Sequence, residues 1–272
     1  MSRLKAASEA TGEVLRALPA ALRFLSRLPV PRLPFEPAQD GPPDLDRLAP
    51  AFPLAGALIG LTGALTALTF ALIGLPSLVV ATLTVMVLVI VAGGLHEDGL
   101  ADVADGLGGM TVARRLEIMR DSRLGSFGVL ALILAVTLRV VTLQALMDID
   151  ILATAAALLA AGAVGRLAPV LMLAALPPAR PEGLGHGAGR PSAPARWKAG
   201  GLALVIAALT VIPGFGAGAL AGGLVLGFLG FSALARLARA QFGGQTGDVA
   251  GAAALLVEIA FLLGLLIFAR HP

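Results

Sequence analysis

What most restricts the fold of this 272-residue chain is the recurrence of apolar runs long enough to cross a lipid bilayer. A spanning helix needs about 20 apolar residues, and such runs occupy 51–74, 76–95, 127–147, 151–176, 199–212, 214–235 and 250–269. The fifth is short. Ile212-Pro213-Gly214 reads either as a turn between two spans or as a kink in one long tilted span, and the length of 201–235 favours two. Apolar residues make up 57% of the chain and charged residues 14%, against roughly 45–50% and 25% in soluble domains. The expected fold is therefore all-α, a polytopic membrane bundle of about seven transmembrane helices. One transmembrane catalytic domain would cover 51–272, behind a segment 1–50 that combines an amphipathic helix around Glu13 to Leu25 with a Pro-rich tether. Glycines recur inside the runs (Gly56, Gly60, Gly63; Gly222, Gly223, Gly227, Gly230), as close helix packing in lipid demands.

Charge then orients the bundle. With the N-terminus in the cytoplasm, the inside segments 1–50, 96–126, 177–198 and 236–249 hold 17 of the 20 Lys and Arg residues, the bias expected of cytoplasmic loops. The polar segments that can carry chemistry all fall on that face. Such one-sidedness suits an enzyme acting on cytoplasmic substrates from a bacterial inner (cytoplasmic) membrane; a transporter usually keeps its polar groups near the midplane. A net charge of only +3 and the absence of a dense basic domain argue against nucleic acid as a partner. There is no cysteine, which excludes thiolate nucleophiles and thiolate metal sites. The first 50 residues lack the uninterrupted apolar core of a signal peptide, so this segment is expected to be retained.

Directly behind the uncharged run 76–95 comes His96-Glu97-Asp98-Gly99-Leu100-Ala101-Asp102-Val103-Ala104-Asp105-Gly106. On a helix, Asp98, Asp102 and Asp105 stand at i, i+4 and i+7, within roughly 60° of one another. Carboxylates so placed repel unless a cation lies between them. Hard divalent ions such as Mg²⁺ take oxygen ligands, usually one or two carboxylates with water and substrate phosphate. A phosphate-bearing substrate is the natural partner.

Three further segments share that face. In Arg120-Asp121-Ser122-Arg123, two guanidinium forks bracket a fourth carboxylate; they can hold phosphate oxygens or simply neutralise Asp121. Gly125 and Gly128 lead into the next span, where helix-start amides can receive an anion. The run Glu182-Gly183-Leu184-Gly185-His186 is either a lid over a nucleotide or a plain linker. Gly243-Gly244-Gln245-Thr246-Gly247-Asp248 lets backbone approach a ligand closely, and Asp248 either completes the site or caps the last helix. Within the spans, Glu258 is expected to pair with Arg139 or Arg166, since a lone charge there is costly.

Taken together, the 96–106 string, Leu116 to Gly128, Arg23-Phe24-Leu25-Ser26-Arg27-Leu28-Pro29-Val30-Pro31, Phe52-Pro53-Leu54-Ala55-Gly56, Glu182-Gly183-Leu184-Gly185 and Gly243 to Asp248 resemble the cobalamin synthase family. These membrane enzymes of bacteria and archaea are adenosylcobinamide-GDP ribazoletransferases. The likeness runs nearly end to end, and several blocks are specific. It implies a Mg²⁺-dependent transfer late in vitamin B12 synthesis. The 3′-hydroxyl of α-ribazole, or of α-ribazole 5′-phosphate, would attack the cobinamide-linked phosphorus of adenosylcobinamide-GDP, releasing GMP. On that reading Asp98, Asp102, Asp105 and Asp121 are the metal ligands, and Arg120 and Arg123 hold the leaving group. Asp121, Asp248 or His96 takes the proton, and Gly183, Gly185, Gly244 and Thr246 line the nucleotide; His96 also reads as a structural helix-start residue. Partners are then the two substrates and the lipid bilayer, with a homo-oligomer left open.

The chain departs from the family pattern at three places. Glu97 replaces an apolar residue and is expected to be a bystander acid pointing away from the site, Gly109 to Arg114 is shortened, and Leu255 stands where an acid is common. CDP-alcohol phosphotransferases, the nearest alternative chemistry, require Ala-Arg after the first Asp-Gly; here Asp98-Gly99 is followed by Leu100-Ala101-Asp102. A transporter would show internal repeats, and none is evident.

Overall fold

The structure, a computed structural model, describes residues 2–36, 43–181 and 189–269. Among these the fold is helical throughout, with a single backbone bridge between Pro178 and Gln245. The first helix, α1 (Ser2–Leu25), is followed by the short α2 (Leu45–Leu48), a 3₁₀ turn (Ala49–Ala51) and α3 (Phe52–Leu72). Then come α4 (Ser77–Ala92), α5 (Leu95–Gly106), α6 (Val112–Ile118), α7 (Ser126–Ile149) and α8 (Ile151–Ala175). The chain closes with α9 (Ala193–Phe242) and α10 (Gly247–Phe268).

Small residues set the closest crossings. A methyl on Gly56 would lie 2.1 Å from the Gly162 carbonyl oxygen, and one on Gly60 2.2 Å from that of Leu158, so α3 and α8 meet backbone to backbone. Gly222 and Gly264 bring α9 and α10 nearly as close, a methyl on Gly264 falling 2.4 Å from the Gly222 carbonyl oxygen. Lipid supplies no hydrophobic drive between helices, so such contacts carry the packing. Segment 1–50 is tied into this bundle. Ala17, Ala21 and Leu25, at i, i+4 and i+8 on α1, are all buried, and Phe24 stacks on Phe52 with ring centroids 5.7 Å apart.

By length and composition five helical stretches can cross a membrane, or six if the bent α4–α5 pair is one span. The 50-residue α9 is not a single rod. At Gly216 its backbone leaves helical geometry (φ 84°, ψ 168°). Ahead of this point Gly214 abuts Ala153 at the start of α8, while Arg190, just before α9, bonds the Ala174 and Leu176 carbonyls at the far end of α8. Beyond it, Gly222 meets Phe268 and Gly230 meets Ala260. The first arm thus runs antiparallel to α8 and the second antiparallel to α10, so the chain reverses at Gly216. Two arms over 199–235 match the expectation, with the reversal placed a few residues beyond Ile212-Pro213-Gly214. Gly216 allows it because its positive φ is readily accessible only to glycine.

One turn shapes the polar end. Gly93 (φ 68°) and Gly94 (φ 67°) are both left-handed, and α5 leaves α4 at 89°. The acidic helix therefore lies across the end of the bundle.

Candidate active site

Over α5 opens a cavity of about 740 Å³, lined among others by Asp98, Asp102, Arg120, Asp121, Arg123 and Arg27. Asp98 is exposed and Asp102, one helical turn on, is half-buried. Burial, then the negative charges of Asp248, Asp98 and Asp105, push the Asp102 carboxyl up to about 7; Arg180 acts the other way. Burial and the neighbouring like charges both disfavour the ionised form of this carboxyl.

The remaining acids are placed differently from one another. Among the described residues no three His, Asp or Glu side chains converge closely enough to hold one ion. The expected set of Asp98, Asp102, Asp105 and Asp121 is thus spread around the cleft and does not form a single shell. Asp105 accepts the Gly125 amide at 2.7 Å and the Gly128 amide at 2.8 Å. Those amides were expected to receive an anion, and the anion is a carboxylate of this chain. Methyl groups on Gly125 or Gly128 would strike Asp105 at 2.4 and 2.3 Å, which accounts for both glycines. Asp121 is closed onto Arg123, whose Nη2 donates at 2.6 Å and Nε at 3.0 Å. Those bonds hold the Asp121 carboxyl down at about 2. Arg120 keeps an exposed side chain on the cavity wall.

Asp248 stands in the first turn of α10, behind Asp102. Its Oδ2 lies 3.2 Å from the Thr246 hydroxyl and 3.8 Å from Arg180. Gly99 lets α5 approach this point, because a methyl there would sit 2.6 Å from the Asp248 carbonyl. Thr246 is buried and accepts the Val249 amide as the cap of α10. Gly244 is packed on the Pro177 carbonyl, where a methyl would fall at 2.2 Å. These two residues, expected beside the nucleotide, shape the loop that carries Asp248. Gly183, Gly185 and His186 lie outside the described residues.

His96 is 4% exposed, whereas the Asp248 side chain is 27% exposed. His96 faces the interior beside Arg166, Glu258 and Arg139; burial, then Arg166, keep its imidazole neutral. This favours the structural reading of His96 over that of a base. Glu258 pairs with both arginines, with Arg139 at 2.5 Å and with Arg166. Arg139 also donates to Glu97 at 3.0 Å. Glu97 does point away from the cleft, but it is no bystander: it ends a buried chain of four alternating charges.

Two residues were not foreseen. Arg27 reaches the cavity wall from the segment after α1, and Arg180, from the α8 exit, bonds the Leu116 carbonyl at 2.9 Å and lies 3.8 Å from Asp248. The only hint for Arg27 was its place in the block Arg23 to Pro31.

Residues 17–266 match the profile of the family described as cobalamin-5-phosphate synthase. An adenosylcobinamide-GDP ribazoletransferase of Azorhizobium caulinodans is 48% identical over 94% of this chain and 97% of its own length. Its counterpart in Xanthobacter autotrophicus is 47% identical over 94% and 97%, and that of Brucella anthropi 41% over 93% and 96%. No solved structure matches. With the matched region running from α1 to the last turn of α10, this chain belongs to the cobalamin-5-phosphate synthase family.

Proposed function

We propose that the protein is an adenosylcobinamide-GDP ribazoletransferase, joining α-ribazole or its 5′-phosphate to the cobinamide phosphate and releasing GMP. The carrying observation is the cleft itself, with Asp98, which has no cationic partner among the described residues, and half-buried Asp102 on one wall and Arg120 and Arg123 on another. Phosphoryl transfer asks a protein chiefly to position its reactants and to spread charge on the phosphates. The named activity of the relatives agrees.

In this reading the ribose 3′-oxygen bonds to the cobinamide-linked phosphorus, the bond from that phosphorus to the GMP oxygen breaks, and GMP leaves with the electron pair. Asp248, oriented by Thr246 and Arg180, takes the hydroxyl proton. Arg120 donates to the departing phosphate. Asp98 and Asp102 would hold Mg²⁺, and the donor set fits: two carboxylates, with water and substrate oxygens completing the shell, is the usual arrangement. The ion would supply positive charge to the diphosphate. Asp105, spent on the α7 amides, sets the distance between α5 and the loop that carries Arg120. The polar end faces the cytoplasm of a bacterial inner membrane, with the N-terminus inside.

The test is GMP release by detergent-purified protein from adenosylcobinamide-GDP and α-ribazole, with Mg²⁺ or with chelator. Mg²⁺-dependent GMP matched by corrinoid product is the expected result. Full turnover in chelator would remove the metal from the proposal, and no turnover by folded protein would remove the reaction.

A further inference from the structure

The two arginines of the 23–31 block have different fates. Arg23 is closed: it donates to the Pro31 carbonyl at 2.9 Å and pairs with Glu36, whose other contact is the Leu33 amide at 2.8 Å. This clasp fixes the loop after α1. Ser26 locks the helix exit by donating to the Leu22 carbonyl at 2.7 Å. Arg27, one turn beyond Arg23, is exposed and has no acidic partner among the described residues.

Its position is nevertheless held from both sides. The Arg27 amide donates at 2.7 Å to the Val91 carbonyl, one of those left free at the end of α4. Its side chain lies against Gly93, where a methyl would come within 2.5 Å of Cγ and 2.7 Å of Nε. Gly93 thus serves two needs at once, a left-handed φ of 68° and room for the arginine stem. The guanidinium is delivered to the wall of the cavity that holds Asp98 and Asp102. A cation fixed by its backbone and stem, yet unpaired at its head, beside carboxylates that a cation would neutralise, is poised for a ligand with more negative charge than one metal ion offsets.

We infer that Arg27 is a substrate-binding residue of this cleft, holding phosphate oxygens of the guanosine diphosphate moiety from the α4–α5 elbow while Arg120 holds them from the loop after α6. The inference rests on the proposed transferase activity. It also makes the segment before the first span part of the active site.

Full-length protein, wild type and the variants Arg27→Ala, Arg27→Lys and Arg23→Ala, would be assayed for GMP release, with GDP as competing probe and thermal unfolding as control. For Arg27→Ala the expected result is a KM for adenosylcobinamide-GDP and an inhibition constant for GDP each raised about tenfold or more. The KM for α-ribazole should stay within about twofold, a split that a purely structural loss does not produce. Arg27→Lys keeps the charge without the fork and should recover part of the GDP affinity. Arg23→Ala, which loosens the clasp but keeps Arg27 and its bond to Val91, should lower the melting temperature and raise the GDP constant by less than Arg27→Ala does. Unchanged GDP inhibition in folded Arg27→Ala overturns the inference. If the alanine variant fails to fold, unchanged GDP inhibition in Arg27→Lys overturns it equally. A wild type that releases no GMP overturns the underlying function instead.

Discussion

Glu97 and Asp98 are neighbours in sequence and opposites in the fold. Asp98 lies on the open face of α5, exposed and without a cationic partner among the described residues. Glu97 lies on the inner face, bonded at 3.0 Å to Arg139 in a chain that continues through Glu258 to Arg166. One helix therefore carries acids kept short of counter-charge towards the cleft and an acid paired with an arginine towards the core. The inner set holds the helix in place; the outer set is the one the proposed function gives to the ligand. Stability and turnover should accordingly separate face by face.

The largest expected effect is on the open face. Asp98→Asn and Asp102→Asn should each lower GMP release by about 10³-fold or more, as loss of a group that organises transition-state charge does, while melting temperature in detergent is retained. Turnover within a few-fold of wild type in either variant would break the comparison at its centre. Next comes Glu258→Gln, which strands Arg166 and leaves Arg139 with Glu97 alone. Leaving buried charge unpaired costs about 3–5 kcal/mol, read as lost yield and a lower unfolding midpoint. A stable Glu258→Gln protein without turnover would move the inner chain into the chemistry.

A smaller effect sharpens the contrast by pH. The Asp102 carboxyl titrates near 7 when folded and near 4 when unfolded, so the metal-free folded state binds the extra proton between those values. Its stability is thus greatest at the acid end of this window and falls as pH rises through it. Thermal melts in chelator should show that slope. Asp102→Asn should flatten it, and Mg²⁺ should oppose it by replacing the proton. A slope that survives in Asp102→Asn would assign the titration elsewhere. The smallest effect belongs to Asp121→Asn: an exposed pair with Arg123 contributes little, so steady-state turnover should change by less than about fivefold. A loss comparable to that of Asp98→Asn would return Asp121 to the site.

Much of this was legible beforehand because it depends on short-range periodicity. The apolar runs located the long helices, five or six of which can cross a membrane where about seven were expected, and the 3.6-residue repeat placed Asp98 and Asp102 on one face. The pairing of Glu258 could be read from the expense of a lone charge in a span, although both arginines share it. What escaped depends on which loop ends meet. Helical spacing put Asp105 with the other two aspartates, but the amides of Gly125 and Gly128 claim it from 20 and 23 residues away. Asp121 carried the sign of a ligand, yet its nearest cation is two residues along the chain. Arg27 joins the cleft through a loop clasped by Arg23 and Glu36, which no local pattern reveals.

The crossing of α3 and α8 at Gly56 and Gly162 bears on how a bulky corrinoid is admitted. Two backbones already in contact cannot be pressed closer, and parting them would open a void that lipid tails fill poorly. That half of the bundle behaves as a fixed jaw. α5 is held as well, by the Glu97–Arg139 pair and by the close approach of Gly99 to Asp248, so any widening that lets the macrocycle reach the carboxylates should fall on the cleft wall formed by the loop after α6.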